Sequence, residues 1–373
     1  MKFGKQFFPV INYNYDESRK FLKKKRLDDG IDPERIINTH KKLMENRMCE
    51  KKSTSRLEDS FVNAGQVGSL FKLDGKAIKV DDFGRKKLAR DTEFNLLKRF
   101  KKIKESQPES TGKNRKKISE INAGKWMNAP DDLKLTSDGM IISEYELANC
   151  DFKKLIKIQR KAAENCVTRS QKGDWSFVQE LILKNAYTQL IKQLAAIHKD
   201  NQTHGDLHGG NILISIRKTK KGFNKIAFKL HDRAPWSGIN WVMDKSVHAD
   251  FLSRHPGFEK DLDKISKYKH YNLNKYNELE KVIRDNLPLL QAWDMNMLWT
   301  DLNIYIDEVI DSNSKDWICK ITEPWYDEFD LGLQFLGNCD NAMQALDSSW
   351  CYKFREDLNT LNHEWDWTDD ELK

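Results

Sequence analysis

The sequence predicts an α+β protein with two lobes, and three features predict it. Residues 61–82 (FVNAGQVGSLFKLDGKAIKVDD) read as strand, glycine turn, strand, Asp-Gly hairpin and strand. Residues 177–200 (FVQELILKNAYTQLIKQLAAIHKD) place apolar side chains at helical spacing over a long stretch. The chain has 373 residues, 39% of them hydrophobic, which is enough for two packed cores. A strand-rich first half followed by a helix-rich second half implies a small β lobe, a larger helical lobe and a cleft for function.

The order of elements follows from the same patterns. Residues 1–58 are polar and basic, with KKKR at 23–26, read as a solvated turn, and a helix over 32–48 that Asp32 caps ahead of Pro33. The three strands come next, then a helix over 85–100 and a strand in GMIISEYEL, 139–147. After the long helix, NILISI and KIAFKLHD form a hairpin around the basic turn RKTKKGFN, and the remainder is helical or irregular. The expected boundaries are 1–58 for a basic extension, 59–146 for the small lobe, 147–322 for the large lobe and 323–373 for an acidic C-terminal segment.

The net charge of +7 is unevenly spread. Residues 98–125 carry ten Lys or Arg against three Glu, whereas 323–373 carry thirteen acids against three bases. Solvated surface explains both, with docking of charged proteins as the sharper alternative. Neither pattern calls for direct nucleic-acid binding. The six cysteines show no C-x-x-C pair and suit a reducing compartment. The apolar run near the start is too short for a signal-peptide core, and no run approaches a membrane span. A cytoplasmic protein is expected, including one delivered to act inside a host cell.

The stretch HGDLHGGNIL, residues 204–213, concentrates ligand-type side chains ahead of a buried strand. GDLHG resembles the G-D-x-H-G element of metallophosphoesterases. Those enzymes also need an upstream D-x-H and a downstream G-N-H, and GNCD at 337–340 lacks the histidine. A different resemblance accounts for more of the chain. Asp206 and Asn211, five apart and followed by a strand, resemble the H-R-D-x-x-x-x-N loop of the protein-kinase-like superfamily. NAGQVGSLFK at 63–72 is similar to its glycine-rich loop, AIKV at 77–80 to its lysine strand, and IISEYE to its hinge. HDRA at 231–234 stands at the D-F-G position, and QAWDMNMLW at 291–299 resembles the helix whose aspartate, here Asp294, braces the loop.

That resemblance implies a bilobal fold and an ATP-dependent phosphotransferase, a Ser/Thr protein kinase of the divergent, host-directed effector kind, with a protein substrate. ATP with Mg²⁺ or Mn²⁺ is the implied cofactor. Lys79, held by Glu93, would meet the α- and β-phosphates, and Gly65 and Gly68 would let backbone N–H groups approach them. Leu70, Ala77 and Leu213 would sandwich adenine, and the backbones of Glu144 and Glu146 would bond its edge. Asn211 and Asp232 would hold the metal through hard oxygen atoms. Asp206 would orient the attacking hydroxyl, with His208 beside it where protein kinases carry lysine. Ser143 would leave a small pocket behind adenine, and His204 would be a packed brace.

The departures carry expectations too. Gly205 replaces the arginine that gathers a phosphorylated activation loop, so activity without activating phosphorylation is expected. HGDLHxxN also resembles small-molecule phosphotransferases, which leaves a small-molecule or lipid acceptor as the alternative. Arg233 and Ala234 in place of Phe and Gly leave a third reading, a non-catalytic interaction module.

Overall fold

Asp32 and Pro33 start a helix as their chemistry requires: the Asp32 carboxylate accepts the Glu34 N–H at 2.9 Å. The computed structural model describes residues 15–25, 27, 31–49, 56–64, 68–83, 87–106, 130–164, 169–218, 224–242, 244, 248–266, 276–311 and 323–361. Gly65, residues 107–125 of the basic stretch and the last twelve residues lie outside them. The chain is mixed α/β, with a small antiparallel sheet and a larger helical part. It divides into two compact units: residues 1–95 with 130–147, and residues 96–129 with 148–373.

The first unit holds α1 (Tyr15–Lys24), α2 (Pro33–Cys49) and the single turn α3 (Leu57–Ser60). Its sheet comprises β1 (Phe61–Ala64), β2 (Gly68–Leu73), β3 (Lys76–Asp82), β4 (Asp132–Leu135) and β5 (Met140–Glu146), in the order β1-β2-β3-β5-β4. The Asp74-Gly75 turn takes positive φ at both residues, 51° and 74°, as a two-residue hairpin needs. Alternation sends Phe71, Leu73, Ile78, Val80, Met140 and Ile142 to one face, where Leu22, Ile36, Ile37, Leu43 and Met44 cover them. The N-terminal helices are therefore part of this core. Described residues of the segment read from sequence as an extension thus pack on the sheet. α4 (Lys87–Ser106) follows β3.

The second unit opens with β6 (Cys150–Asp151) and α5 (Phe152–Glu164), then α6 (Arg169–Lys199), β7 (Ile212–Lys218) and β8 (Asn224–Leu230). The hairpin β7–β8 pairs Ile212 with Leu230 and Ile214 with Phe228. β8 is the edge of its sheet, and α6 covers that edge with two glutamines one turn apart. Gln189 takes the Phe228 N–H at 2.9 Å and donates to the Ile226 carbonyl at 3.1 Å. Gln193 repeats this with the Leu230 N–H and the Phe228 carbonyl, at 2.9 and 2.7 Å. Four helical residues advance about 6 Å and two strand residues about 6.7 Å, so the amides match the ladder and stand in for a missing strand. This fixes the strand that delivers the chain to residue 232.

Next come α7 (Pro235–Val242), α8 (His248–Arg254), α9 (Glu259–Ser266), α10 (Tyr276–Asp285) and α11 (Leu287–Tyr305). α12 (Pro324–Gly337), α13 (Ala342–Leu346) and α14 (Ser349–Leu361) complete the unit. The acidic C-terminal segment is built into the core through Phe329, Leu333, Ala342, Cys351 and Phe354, which pack with Tyr187 and Leu190 of α6. Buried Lys184 of α6 meets Glu180 and, at 2.7 Å, Asp357 of α14. Among the described residues, no helix is long and apolar enough to cross a membrane.

Candidate active site

Residues 203–211 form a loop that α11 supports from beneath. Asp294, fully buried in α11, takes the His204 N–H at 2.7 Å and the Thr203 hydroxyl at 2.6 Å on one oxygen, and the Gly205 N–H at 2.8 Å on the other. His198, the last buried residue of α6, lies 3.1 Å from Asp294 Oδ2 through Nε2, and its Nδ1 accepts the Ala342 N–H at 3.0 Å. Because Nδ1 is an acceptor, Nε2 carries the proton and donates to Asp294. Burial alone would push the Asp294 carboxyl up. His198 and the loop donors outweigh it and hold the carboxyl below its ordinary range.

The same loop is laced to residues 231–234. The Ala234 N–H reaches the His204 carbonyl at 3.0 Å, and the His231 N–H reaches the Asn211 carbonyl at 2.8 Å. The ring of His204 accepts the Asp206 N–H on Nδ1 and donates from Nε2 to the His231 carbonyl at 3.0 Å. His204 is thus a brace, and burial depresses its imidazole pKa to about 4, so it stays neutral. Arg233, standing where an apolar side chain was expected, bonds the Thr203 carbonyl and the Gln202 amide. Its guanidinium stitches the segment back to the loop.

This framework aims four polar side chains. Asp206 is half-buried, and the Asn211 amide donates to its backbone carbonyl at 2.8 Å and to its carboxylate at 3.3 Å. The donation commits the nitrogen of Asn211 and leaves its carbonyl oxygen as the outward ligand atom. Burial pushes the Asp206 carboxyl up, His208 pulls it back, and Asp232 adds to the rise. Burial holds the His208 imidazole down, opposed by Asp206. His208 accepts the Gly210 N–H on Nδ1 at 3.0 Å, so the neutral ring presents an Nε2–H donor. Asp232 is exposed and adopts φ of 51°, a left-handed conformation that a non-glycine residue holds only when its surroundings impose it. Leu213 stands half-buried in β7, opposite Lys229 and Asp151.

In the first unit, register puts Gly68, Leu70 and Lys72 opposite Asp81, Lys79 and Ala77, and Lys79 opposite Ser143. Leu70, Ala77 and Lys79 therefore share the sheet face that the N-terminal helices do not cover. Lys79 Nζ lies 3.8 Å from Asp81 Oδ1. Glu93 sits half-buried on α4.

Three expectations change here. A Cβ on Gly68 would stand 2.1 Å from Asp81 Oδ1, so this glycine makes room for a carboxylate, where the sequence suggested room for a phosphate. Glu144 does not present an open carbonyl: its oxygen accepts the Asp131 N–H at 2.7 Å, because β4 pairs with this part of β5. Glu146 lies at the end of β5, opposite Lys76 of β3 and beyond the last pairing with β4. Ser143 is fully buried and donates to the Lys79 carbonyl at 3.3 Å, so its small size serves the sheet.

Two residues escaped sequence reading. Asp301 lies two turns beyond Asp294 on α11, and its Oδ1 takes the Gly209 N–H at 3.0 Å while Oδ2 is buried without a partner. Burial raises its carboxyl to about 7, with the Gly209 N–H and Lys153 opposing. Trp241 of α7 places its indole N–H against the Asp206 carboxylate. The seven-residue spacing of the two aspartates was the available signal for the first. No local pattern marked the second.

Asn211 and Asp232 offer two oxygen donors at the ends of laced segments. That suits Mg²⁺, which takes one or two protein ligands and completes its shell with phosphate oxygens and water. Among the described residues, no three His, Cys, Asp or Glu side chains converge to hold a metal. Comparison with family models and with curated proteins finds no match.

Proposed function

We propose that the chain is an ATP-dependent phosphotransferase of protein-kinase-like, bilobal architecture that transfers the γ-phosphate to a Ser or Thr hydroxyl of a protein. One observation carries the reading. Residues 203–211 and 231–234 are laced together so that Asp206, Asn211 and the left-handed Asp232 emerge side by side, with Asp294 fixing the loop from below.

Phosphoryl transfer demands positioning and charge neutralisation more than covalent chemistry. Asp206 would accept the proton of the attacking hydroxyl on its carboxylate. Asn211 Oδ1 and Asp232 would hold Mg²⁺ (or Mn²⁺), which supplies neutralisation of the phosphate charge. His208 would donate from Nε2 to a phosphate oxygen, the part lysine plays in protein kinases. Lys79, whose ammonium lies 3.8 Å from Asp81, would meet the α- and β-phosphates with Glu93 as its expected partner, and Leu70, Ala77, Leu213 and the Glu146 backbone would hold the base.

A small-molecule phosphotransferase is the second reading. It is favoured by the entry of the chain into α7 only three residues after Asp232, which leaves no extended segment there to dock a protein. Radiolabelled ATP with casein, and separately with a panel of small hydroxyl acceptors, tests both. The proposal expects label on casein, lost by at least about a hundredfold in Asp206→Ala. Label confined to small acceptors would move the assignment to the second reading. Undiminished transfer by Asp206→Ala would remove Asp206 from the chemistry.

A further inference from the structure

α7 occupies the place where a protein kinase begins its activation loop, and its three faces are used differently. Ile239 and Val242 are fully buried among Phe251, Leu289, Leu290 and Trp293, which anchors the helix to α8 and α11. Gly238 faces the loop. A Cβ there would stand 3.0 Å from both the Cα and the carbonyl oxygen of Gly205, which has φ of 81°. The absence of a side chain at Gly238 lets the helix and loop backbones touch. One turn on from Gly238, Trp241 is 49% exposed, a large apolar side chain left in solvent. Its indole N–H lies against the Asp206 carboxylate.

An aromatic ring exposed beside the proposed base, on a helix locked on two sides, is held in place by the fold. We infer that Trp241 is the acceptor-side residue of the site: its ring covers Asp206 from water and forms the surface on which the carbon frame of the hydroxyl acceptor lies. Asp206 is half-buried, so part of it is open to an acceptor beside Trp241. An indole face suits a broad, partly apolar acceptor such as a peptide segment, and it lets water approach poorly. The inference rests on the phosphotransfer reading and adds what selects the acceptor over water.

Full-length protein with Mg²⁺·ATP tests it through the ratio of transfer to casein over hydrolysis of ATP by water. Trp241→Ala should raise hydrolysis about tenfold with no protein acceptor present, and should lower the ratio by more than that when casein is added. Trp241→Phe keeps a ring and loses the N–H, so it should retain the ratio within about threefold. Affinity for Mg²⁺·ATP should be unchanged in both, which a merely structural lesion would not leave intact. Hydrolysis and ratio within twofold of the parent protein in Trp241→Ala overturn the inference and leave the phosphotransfer reading standing. No Mg²⁺·ATP binding by the unmodified protein sinks that reading, and the inference with it.

Discussion

Asp294 and Asp301 hold the two ends of one loop from one helix, yet their carboxylates live in opposite electrostatic surroundings. Asp294 takes two backbone N–H groups, a hydroxyl and a histidine N–H, and is held in its ionised form. Asp301 takes one N–H, leaves the second oxygen buried without a partner, and rises to about 7. Both are buried, so burial does not distinguish them. The count of donors does. A buried carboxylate that meets four donors is an anchor, and one that meets a single donor is a group that titrates near neutrality.

The largest effect is expected at the anchor. Asp294→Asn turns an amide NH₂ toward groups that are all donors, and should cost about 3–5 kcal/mol of unfolding free energy in urea. Phosphotransfer should fall with it, since residues 203–205 lose their seat. A loss under about 1 kcal/mol would mean the loop is held from elsewhere.

Asp301→Asn should act in the other direction and depend on pH. A carboxyl raised in the folded state contributes stability that is full below its unfolded value near 3.8. That contribution is lost as pH rises through about 7. The asparagine has no charge to bury, so its stability relative to the parent should grow between pH 4 and 8, by at most about 4 kcal/mol. Parallel pH–stability curves for the two proteins would contradict the assignment.

Smaller effects sharpen the contrast. His198→Phe removes one of the donors to Asp294 and strands the Ala342 N–H, for about 2 kcal/mol, with α13 loosening as seen by hydrogen exchange. Lys153→Met removes an exposed positive charge that favours ionised Asp301. It should change stability by under about 1 kcal/mol and move the pH step of Asp301 upward.

The anchor was legible in the sequence and the second aspartate was not, for a physical reason. Asp206, Asn211, Asp232 and Asp294 stand in short stretches that resemble motifs of the protein-kinase-like superfamily, each readable from consecutive residues. The seven-residue spacing puts Asp301 on the same side of α11 as Asp294, but that it meets the Gly209 N–H depends on how α11 is rotated beneath the loop, which the sequence does not state. The first unit teaches the same lesson. Gly68 was read from a glycine pattern, but its partner Asp81 stands across the hairpin, and register decides what the missing side chain makes room for. Glu144 was given an open edge because DLKL at 132–135 is too short and polar to announce the strand that closes it. The hairpins and the Asp32 cap were readable because their signals are consecutive in the chain. The place of α1 and α2 in the core was not, because it depends on which face of the sheet lacks a cover.

The central claim is that Asn211 and Asp232 together hold a metal-bound nucleotide. Calorimetric titration of ATP into the full-length protein, with Mg²⁺, with EDTA, and with Mg²⁺ on Asp232→Ala, measures it directly. The account predicts binding with Mg²⁺ that EDTA abolishes and that Asp232→Ala weakens at least tenfold. Equal binding in all three titrations would contradict it.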